Sequence, residues 1–386
     1  MVTMPHAEWV DLETAWKHIE AALQPLPGEL VSLDAACGRV LAQSVQVDRD
    51  QPAFDRAAMD GFAVHSDDVR TAAPDAPVLL RIVGESRPGS GFAGTHAPGT
   101  AVRIMTGAPV PHGWDAVVPV ESTSGFESEP VAVRASVTPG LHLTRRASER
   151  RAGEDLLDPG RVLSAADVGG LATVGITRVQ VHRRADVAIL ATGDELVPPA
   201  AVPEPHQIRN SNTPQLHSLV AASAQQVHVL GTSPDRPAEL EQRIAAGLQA
   251  DLLLITGGIS AGRYDFVGAA LAAHGVRFRF RQVALQPGKP VAFGVHARGA
   301  VLALPGNPVS AFVTGRLFAS PALLRLAGAA RIRPRWGIAL ARFEWQRRNP
   351  KCLILPAVRD ASGAHVDLVP YRGSGDLLAY GRADCQ

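Results

Sequence analysis

Cysteine is scarce in this chain: Cys37, Cys352 and Cys385 are the only three in 386 residues, far apart and without a CxxC pair. That spacing excludes a disulfide framework and a structural zinc site built from paired thiolates. Aromatic residues are few, at 5%. An excess of one charge is missing too, because 38 Lys and Arg stand against 37 Asp and Glu, a net charge of +1. A nucleic-acid binder or a membrane-surface protein would carry a basic surplus. No apolar run reaches the ~18 residues of a membrane span. Residues 1–8 lack the charged and apolar regions of a signal peptide, so a cytoplasmic protein is expected.

What is present is glycine (36) and proline (30), which imply many turns and short strands. Hydrophobic residues make up 46%, enough for sizeable cores. A chain of this length is expected to form roughly two to four domains. Residues 11–24 have helical spacing (Leu12, Ala15, Trp16, Ile19, Leu23), with Asp11 or Thr14 as the cap. Residues 28–47 have β character, and 78–121 read as short strands of a small all-β domain that continues through 131–143. The charged run Arg145, Arg146, Glu149, Arg150, Arg151, Glu154, Asp155 reads either as a solvated face or as a phosphate and metal site. Residues 164–174 read as a helix with Ser164 as N-cap and Gly175 as stop.

From Asp186 the rhythm becomes strand then helix: strands over 186–191, 227–230, 251–255, 276–283 and 300–304, and helices over 214–225, 237–250 and about 310–327. That alternation predicts a mostly parallel sheet covered by helices. At its centre is Asp251-Leu252-Leu253-Leu254-Ile255-Thr256-Gly257-Gly258-Ile259-Ser260-Ala261-Gly262-Arg263-Tyr264-Asp265. The apolar half reads as a strand buried on both faces. The glycine-rich half reads as an amide cradle for an anion, with the Thr256 and Ser260 hydroxyls as added donors and Asp265 as a metal or polar ligand. An ordinary glycine turn is the alternative. In open α/β sheets, however, ligands bind beyond the C-terminal ends of the strands. The loops 192–195, around Asp235, 256–265, 286–290 and 305–310 all follow strands, so one edge would carry Glu195, Asp235, Asp265, Lys289, Asn307 and Ser310. Residues 331–386 read as a separate strand-rich tail.

Seven motifs follow one another: Met59-Asp60-Gly61-Phe62-Ala63, Arg103-Ile104-Met105-Thr106-Gly107-Ala108, Gly153-Glu154-Asp155, Thr192-Gly193-Asp194-Glu195-Leu196, Thr256-Gly257-Gly258-Ile259-Ser260, Pro287-Gly288-Lys289-Pro290 and Pro305-Gly306-Asn307-Pro308-Val309-Ser310. In this series, from about residue 10 to the end, the chain resembles the molybdopterin molybdotransferase family. The resemblance implies a multidomain α/β and β fold. A three-layer α/β molybdopterin-binding domain with a mostly parallel sheet would use 1–27 and 184–329. A discontinuous elongated domain would use 28–51 and 155–183, a β-rich domain would be inserted at 52–154, and a small C-terminal β barrel would use 330–386. It implies insertion of molybdate into adenylylated molybdopterin with release of AMP and with Mg²⁺ as cofactor. It implies a homodimer with its site at the subunit interface, and the molybdopterin adenylyltransferase and recipient molybdoenzymes as partners.

Carried over position by position, the resemblance makes Asp60, Thr106, Asp155, Glu195, Asp235, Asp265 and Lys289 catalytic. Asp60, Glu195 and Asp265 would be the metal ligands. Thr256, Gly257, Gly258, Ser260, Gly262, Pro305, Gly306, Asn307, Pro308, Ser310 and Ser374 would bind substrate. Pro305 and Pro308 are expected to give shape rather than chemistry, and Asp194 to be a turn residue. Four departures stand out: Gln286 and Pro356 where the family has Lys and Arg, Ala57 where it has Ser, and a tail whose barrel is expected to be short. They leave a non-catalytic, molybdopterin-binding carrier or scaffold as the runner-up, with an adenylyltransferase on the same edge as a weaker third.

Overall fold

The computed structural model describes residues 9–234, 236–258, 266–346 and 350–385. Its chain divides into two units. One comprises Met1–Gln43, Pro159–Val168 and Arg178–Gln386; the other comprises Ser44–Asp158 and Gly169–Thr177.

The heart of the first unit is a six-stranded sheet in the order Ala224–Ser233, Ala185–Thr192, Leu252–Thr256, Ala300–Leu304, Ala292–Val295, Arg277–Phe280. The first four pair in parallel; Ala292–Val295 runs against them, and Arg277–Phe280 runs against it in turn. All five residues of Leu252–Thr256 and all five of Ala300–Leu304 are buried. That is why their sequences are unbroken apolar runs rather than alternating ones. Side chains still alternate between faces. Leu252 and Leu254 join Ile189, Leu302 and Phe293 on one side, packed by the helices Leu12–Ala22 and Asn212–Val220. Leu253 and Ile255 join Leu190 and Val301 on the other, under Pro237–Gly247 and Phe266–Ala273. Arg183 ties the opposite end of the sheet together, donating twice at 2.8 Å to Asp251, which also accepts from Asp186 N. Burial pushes the Asp251 pKa up, but the guanidinium and the amide outweigh it and hold the carboxyl below its usual range.

Asp11 caps the first helix, its Oδ1 accepting from Thr14 N at 2.7 Å. The helix expected over 214–225 is instead Asn212–Val220, and the following strand starts at Ala224. The polar pair Gln225-Gln226 is exposed there because this is the sheet's edge strand, so its pattern looks like the tail of a surface helix. The long helix expected from about 310 to 327 runs as Pro308–Thr314, a π turn Gly315–Ala319, and Ser320–Leu326. Pro321 has no N–H for the Leu317 carbonyl one turn back. Trp16 Nε1 donates to that carbonyl at 2.8 Å, so the first helix supplies the hydrogen bond that the proline removes. Elsewhere in this unit Gly28–Ser32 pairs antiparallel with Arg178–His182, and the tail carries the three-stranded sheet Leu340–Ala341, His365–Leu368, Ala357–Arg359.

The second unit is built on a five-stranded sheet, Ala116–Pro119, Gly61–Val64, Thr100–Ile104, Val78–Ser86, Val131–Val133. Every residue of Gly61–Val64 is buried; Phe62 and Val64 face one core while Ala63 faces the other with Val102 and Val117. Gly61 has no room for a side chain, since a Cβ would sit 2.0 Å from Val118 O.

Phe293 is fully buried and its ring lies 5.8 Å from that of Phe280. Phe293→Ala should destabilise the first unit by about 3–5 kcal/mol, read as a lower urea midpoint for its unfolding transition.

Candidate functional site

The strand pairing fixes where the loops go. Ala191 pairs with Thr256 and Thr256 with Leu304, while Thr192 pairs with Ser233. The chain therefore leaves all four parallel strands at one edge. Arg277–Phe280 points the same way, and the antiparallel strand Ala292–Val295 begins there, so the 281–291 loop joins the same edge.

After Thr256, Gly257 and Gly258 take φ of +94° and +67°. A Cβ on Gly257 would meet Thr192 O at 2.4 Å, and one on Gly258 would meet Val267 Cγ2 at 2.6 Å. Only glycine fits both the torsions and the space. Asn212 locks this turn to the next loop: its Nδ2 donates to Thr256 Oγ1 at 2.8 Å and to Gly306 O at 2.8 Å. Thr256 Oγ1 in turn donates to Pro305 O at 3.1 Å. Thr256 is 1% exposed and its hydroxyl works within the protein; Gly257 N likewise donates to Leu304 O at 3.1 Å, so ligand-facing polarity at this turn falls to the Gly258 amide and its neighbours.

Pro308 opens a helix at its first position, where a missing N–H costs nothing, and its carbonyl accepts from Gln215 Nε2 at 3.0 Å. Pro305 is buried and Gly306 exposed. Asn307 Nδ2 donates to Ser374 Oγ at 2.9 Å, and Val309 N donates to Ser374 O at 3.1 Å. The tail thereby joins the sheet edge. Ser310 is 5% exposed. Lys289 and Ser310 border a cavity of about 290 Å³, together with Gln286, Ser374 and Tyr371. Burial raises the pKa of the Tyr371 phenol. Glu195 is exposed at the end of the Thr192 loop, and its carboxylate folds back so that a Cβ on Gly193 would lie 2.5 Å from Oε2.

Asp60 and Thr106 meet in the second unit. Asp60 Oδ1 accepts from both the hydroxyl and the amide of Thr106 at 2.7 Å. Those two bonds, the hydroxyl's first, lower the Asp60 pKa. Asp155 is exposed and accepts from Gln46 Nε2 at 3.1 Å. The arginine run in the same unit is paired rather than open: Arg145 bonds Asp55 and Arg146 bonds Asp50, each at 2.6 Å, and Arg56 bonds Glu149 at 2.9 Å. It clips the 50–56 segment to the 145–149 segment. Asp235, Ser260, Gly262 and Asp265 lie outside the described residues. Among the described residues no group of three or more His, Cys, Asp or Glu side chains is arranged to hold a metal. Asn212, which the sequence reading passed over, carries a signal in retrospect: an Asn-Ser-Asn-Thr cluster just before a helical pattern marks side chains that bond to backbone.

Residues 10–175 match the family model described as MoeA N-terminal region (domain I and II), and residues 188–325 match that described as probable molybdopterin binding domain. The chain is 38% identical over 306 residues to molybdopterin molybdenumtransferase 2 of Mycobacterium tuberculosis (strain CDC 1551 / Oshkosh), covering 77% of this chain and 75% of that one. It is 29% identical over 385 residues to molybdopterin molybdenumtransferase of Staphylococcus aureus (strain Mu50 / ATCC 700699), covering 97% and 90%. Among solved structures it is similar to a molybdopterin biosynthesis moeA protein from Pyrococcus horikoshii OT3, with a TM-score of 0.81 and 26% identity over 97% of this chain and 94% of that one.

Because the Thr106 hydroxyl is the first cause of the lowered Asp60 pKa, Thr106→Val should move it back up toward the ordinary carboxylate value. A carboxyl-carbon NMR titration of Asp60 checks this. The sign is that of a depressed acid: its favourable bond is present above the ordinary carboxylate pKa and is lost as pH falls through the lowered one.

Proposed function

The chain belongs to the family of the molybdopterin molybdenumtransferases, and on that premise we propose that it transfers molybdenum, delivered as molybdate, into adenylylated molybdopterin with release of AMP. It is an enzyme of molybdenum cofactor biosynthesis. The observation that carries the detailed reading is the single sheet edge on which the Gly257-Gly258 turn, the Asn307–Ser374 contact, Lys289 and the exposed Glu195 converge.

The chemistry suits those groups. Both substrates are oxyanions, and oxyanions are held by backbone amides and cations. Gly257 N is taken by Leu304 O, so the Gly258 amide of the left-handed glycine turn would face a phosphate of the pterin substrate, together with Gly306 and with Ser260 and Gly262. Lys289, Ser310 and Ser374 would orient the oxyanion in the adjoining cavity. Asp60, with its pKa held low, stays an acceptor at neutral pH. We propose that Asp60 and Thr106 of one subunit serve the sheet edge of its partner in a homodimer, with Asp155 and Asp235 as further acids.

Mg²⁺ fits this donor set. Magnesium takes one or two carboxylates and fills its remaining positions with substrate phosphates and water, so it needs no preformed cluster of protein ligands. Glu195, an exposed hard-oxygen donor at the edge, would hold it with Asp265 and Asp60. When bound, the ion neutralises charge on the phosphoanhydride as that bond breaks. No helix among the described residues is long and apolar enough to cross a membrane, and we propose a cytoplasmic enzyme that receives its pterin from an adenylyltransferase and passes the cofactor to molybdoenzymes. The relatives at 29–38% identity carry the transferase name, which favours an enzyme over a carrier that only binds molybdopterin.

Purified protein given adenylylated molybdopterin, Mg²⁺ and micromolar molybdate should release AMP in proportion to molybdate. Glu195→Ala should lower kcat on the order of a hundredfold, and chelation of Mg²⁺ should do the same reversibly. Tight nucleotide binding with no molybdate-dependent release would sink the reading.

A further inference from the structure

The parallel strands also have a common starting end, away from Glu195 and the glycine turn. Ala185 pairs with Ala224 there. The residues just before them, Arg184 and Ser223, line a cavity of about 30 Å³ together with Arg39, His182 and the last turn of the helix Ser320–Leu326.

Two guanidinium groups share this wall. Arg39 is 9% exposed. Its Nη2 donates to Glu29 Oε1 and, at 2.8 Å, to His182 O, but its Nε is buried with no partner among the described residues. Arg184 is half-buried, and its guanidinium makes no hydrogen bond or close ion pair among the described residues. Arg184 Nη2 lies over Gly38, 3.8 Å from where a Cβ on that glycine would sit. Burial pushes the Arg184 pKa down, the Arg39 charge adds to that, and Glu29 opposes them without cancelling the two. Two guanidinium groups thus share one carboxylate, and one positive charge is left unmatched.

The remaining groups of the wall do not match it. The carbonyls of Leu323 and Leu324 already accept from Ala327 N and Ala329 N, each at 2.9 Å. His182 Nδ1 is bonded to Leu26 O at 2.6 Å. Ser223 is exposed and brings only a neutral hydroxyl. A charge drawn out of water without a partner is costly, and one anion with a single charge would balance it while leaving every existing bond in place. Size narrows the choice. The cavity is about as large as the share of liquid volume that one water molecule takes, so it admits a halide ion and is too small for a tetrahedral oxyanion.

We propose that Arg39 and Arg184 form a site for one small monovalent anion of the chloride type, which holds the segment 38–40 and the helix Ser320–Leu326 to the start of the sheet. The site is remote from the edge that carries the chemistry and does not depend on the transferase reading.

Crystals of the full chain soaked in bromide should show an anomalous peak between the two guanidinium groups. In solution, the unfolding midpoint of the full chain is compared in chloride and in gluconate at equal ionic strength and pH. It should rise saturably, by about 3 °C once chloride exceeds its Kd about tenfold. Arg184→Gln removes the unmatched charge and should abolish both the peak and the saturable rise. Arg184→Lys keeps the charge without the planar fork and should retain the rise, at about tenfold more chloride. A water at this place instead of bromide in the wild-type crystal overturns the proposal, whether or not either variant folds. A bromide peak with no saturable rise in solution marks an adventitious ion only and overturns it too, as does a rise of equal size in wild type and Arg184→Gln.

Discussion

Everything chemical in the first unit depends on one constraint, the parallel register that runs Ala191 to Thr256 to Leu304 across three neighbouring strands. Parallel strands must return over a face of the sheet, so their exits gather at one end. Because each strand is buried on both faces, a slip would expose leucines or bury polar groups, and the register is strongly specified. The position of Glu195, of the glycine turn and of the 305–308 loop relative to each other follows from that pairing. Their precision is inherited from hydrophobic burial that takes no part in chemistry.

The edge then divides its polar groups into those that look inward and those that look out. Asn212 and Thr256 are buried and bond three backbone carbonyl or hydroxyl partners, holding two loops at a fixed separation. A buried amide or hydroxyl left unpaired would cost about 1–3 kcal/mol, so the bonds are retained and the loops stay in place. Glu195 and Asn307 can then be exposed, with Ser374 half-buried, without collapsing on their neighbours. Asp60 and Thr106 repeat the scheme on a smaller scale in the second unit, where one hydroxyl and one amide of the same residue fix a carboxylate oxygen.

Much of this was legible in the sequence, and the exceptions have local causes. The apolar runs 252–255 and 300–304 declared themselves, as did the need for glycine at 257 and 258. The edge strand Ala224–Ser233 did not, because half-exposed strands carry polar pairs that mimic a helix end. The π turn at Gly315–Ala319 depends on an indole 301 residues away, which no local pattern encodes. The arginine run was ambiguous for the same reason: whether Arg145 and Arg146 face a ligand or pair with Asp55 and Asp50 is a question of tertiary distance. Asp235, Ser260, Gly262 and Asp265 remain tied to the loop reading alone.

Distance also decides how a change in sequence should be judged. Electrostatic attraction depends on where a charge sits and on the dielectric around it, not on which residue number bears it. Residues 285–286 and 352–353 are hydrogen-bonded neighbours, so the 286–290 loop and Lys351 line one cavity although they are remote in sequence. Val10 is bonded to Gln282 and Ala284 on the other side, which sets Trp9 against Lys289 and Lys351. What a substitution at residue 286 does to this cavity therefore depends on segments that start at residues 9 and 351 as much as on its own loop.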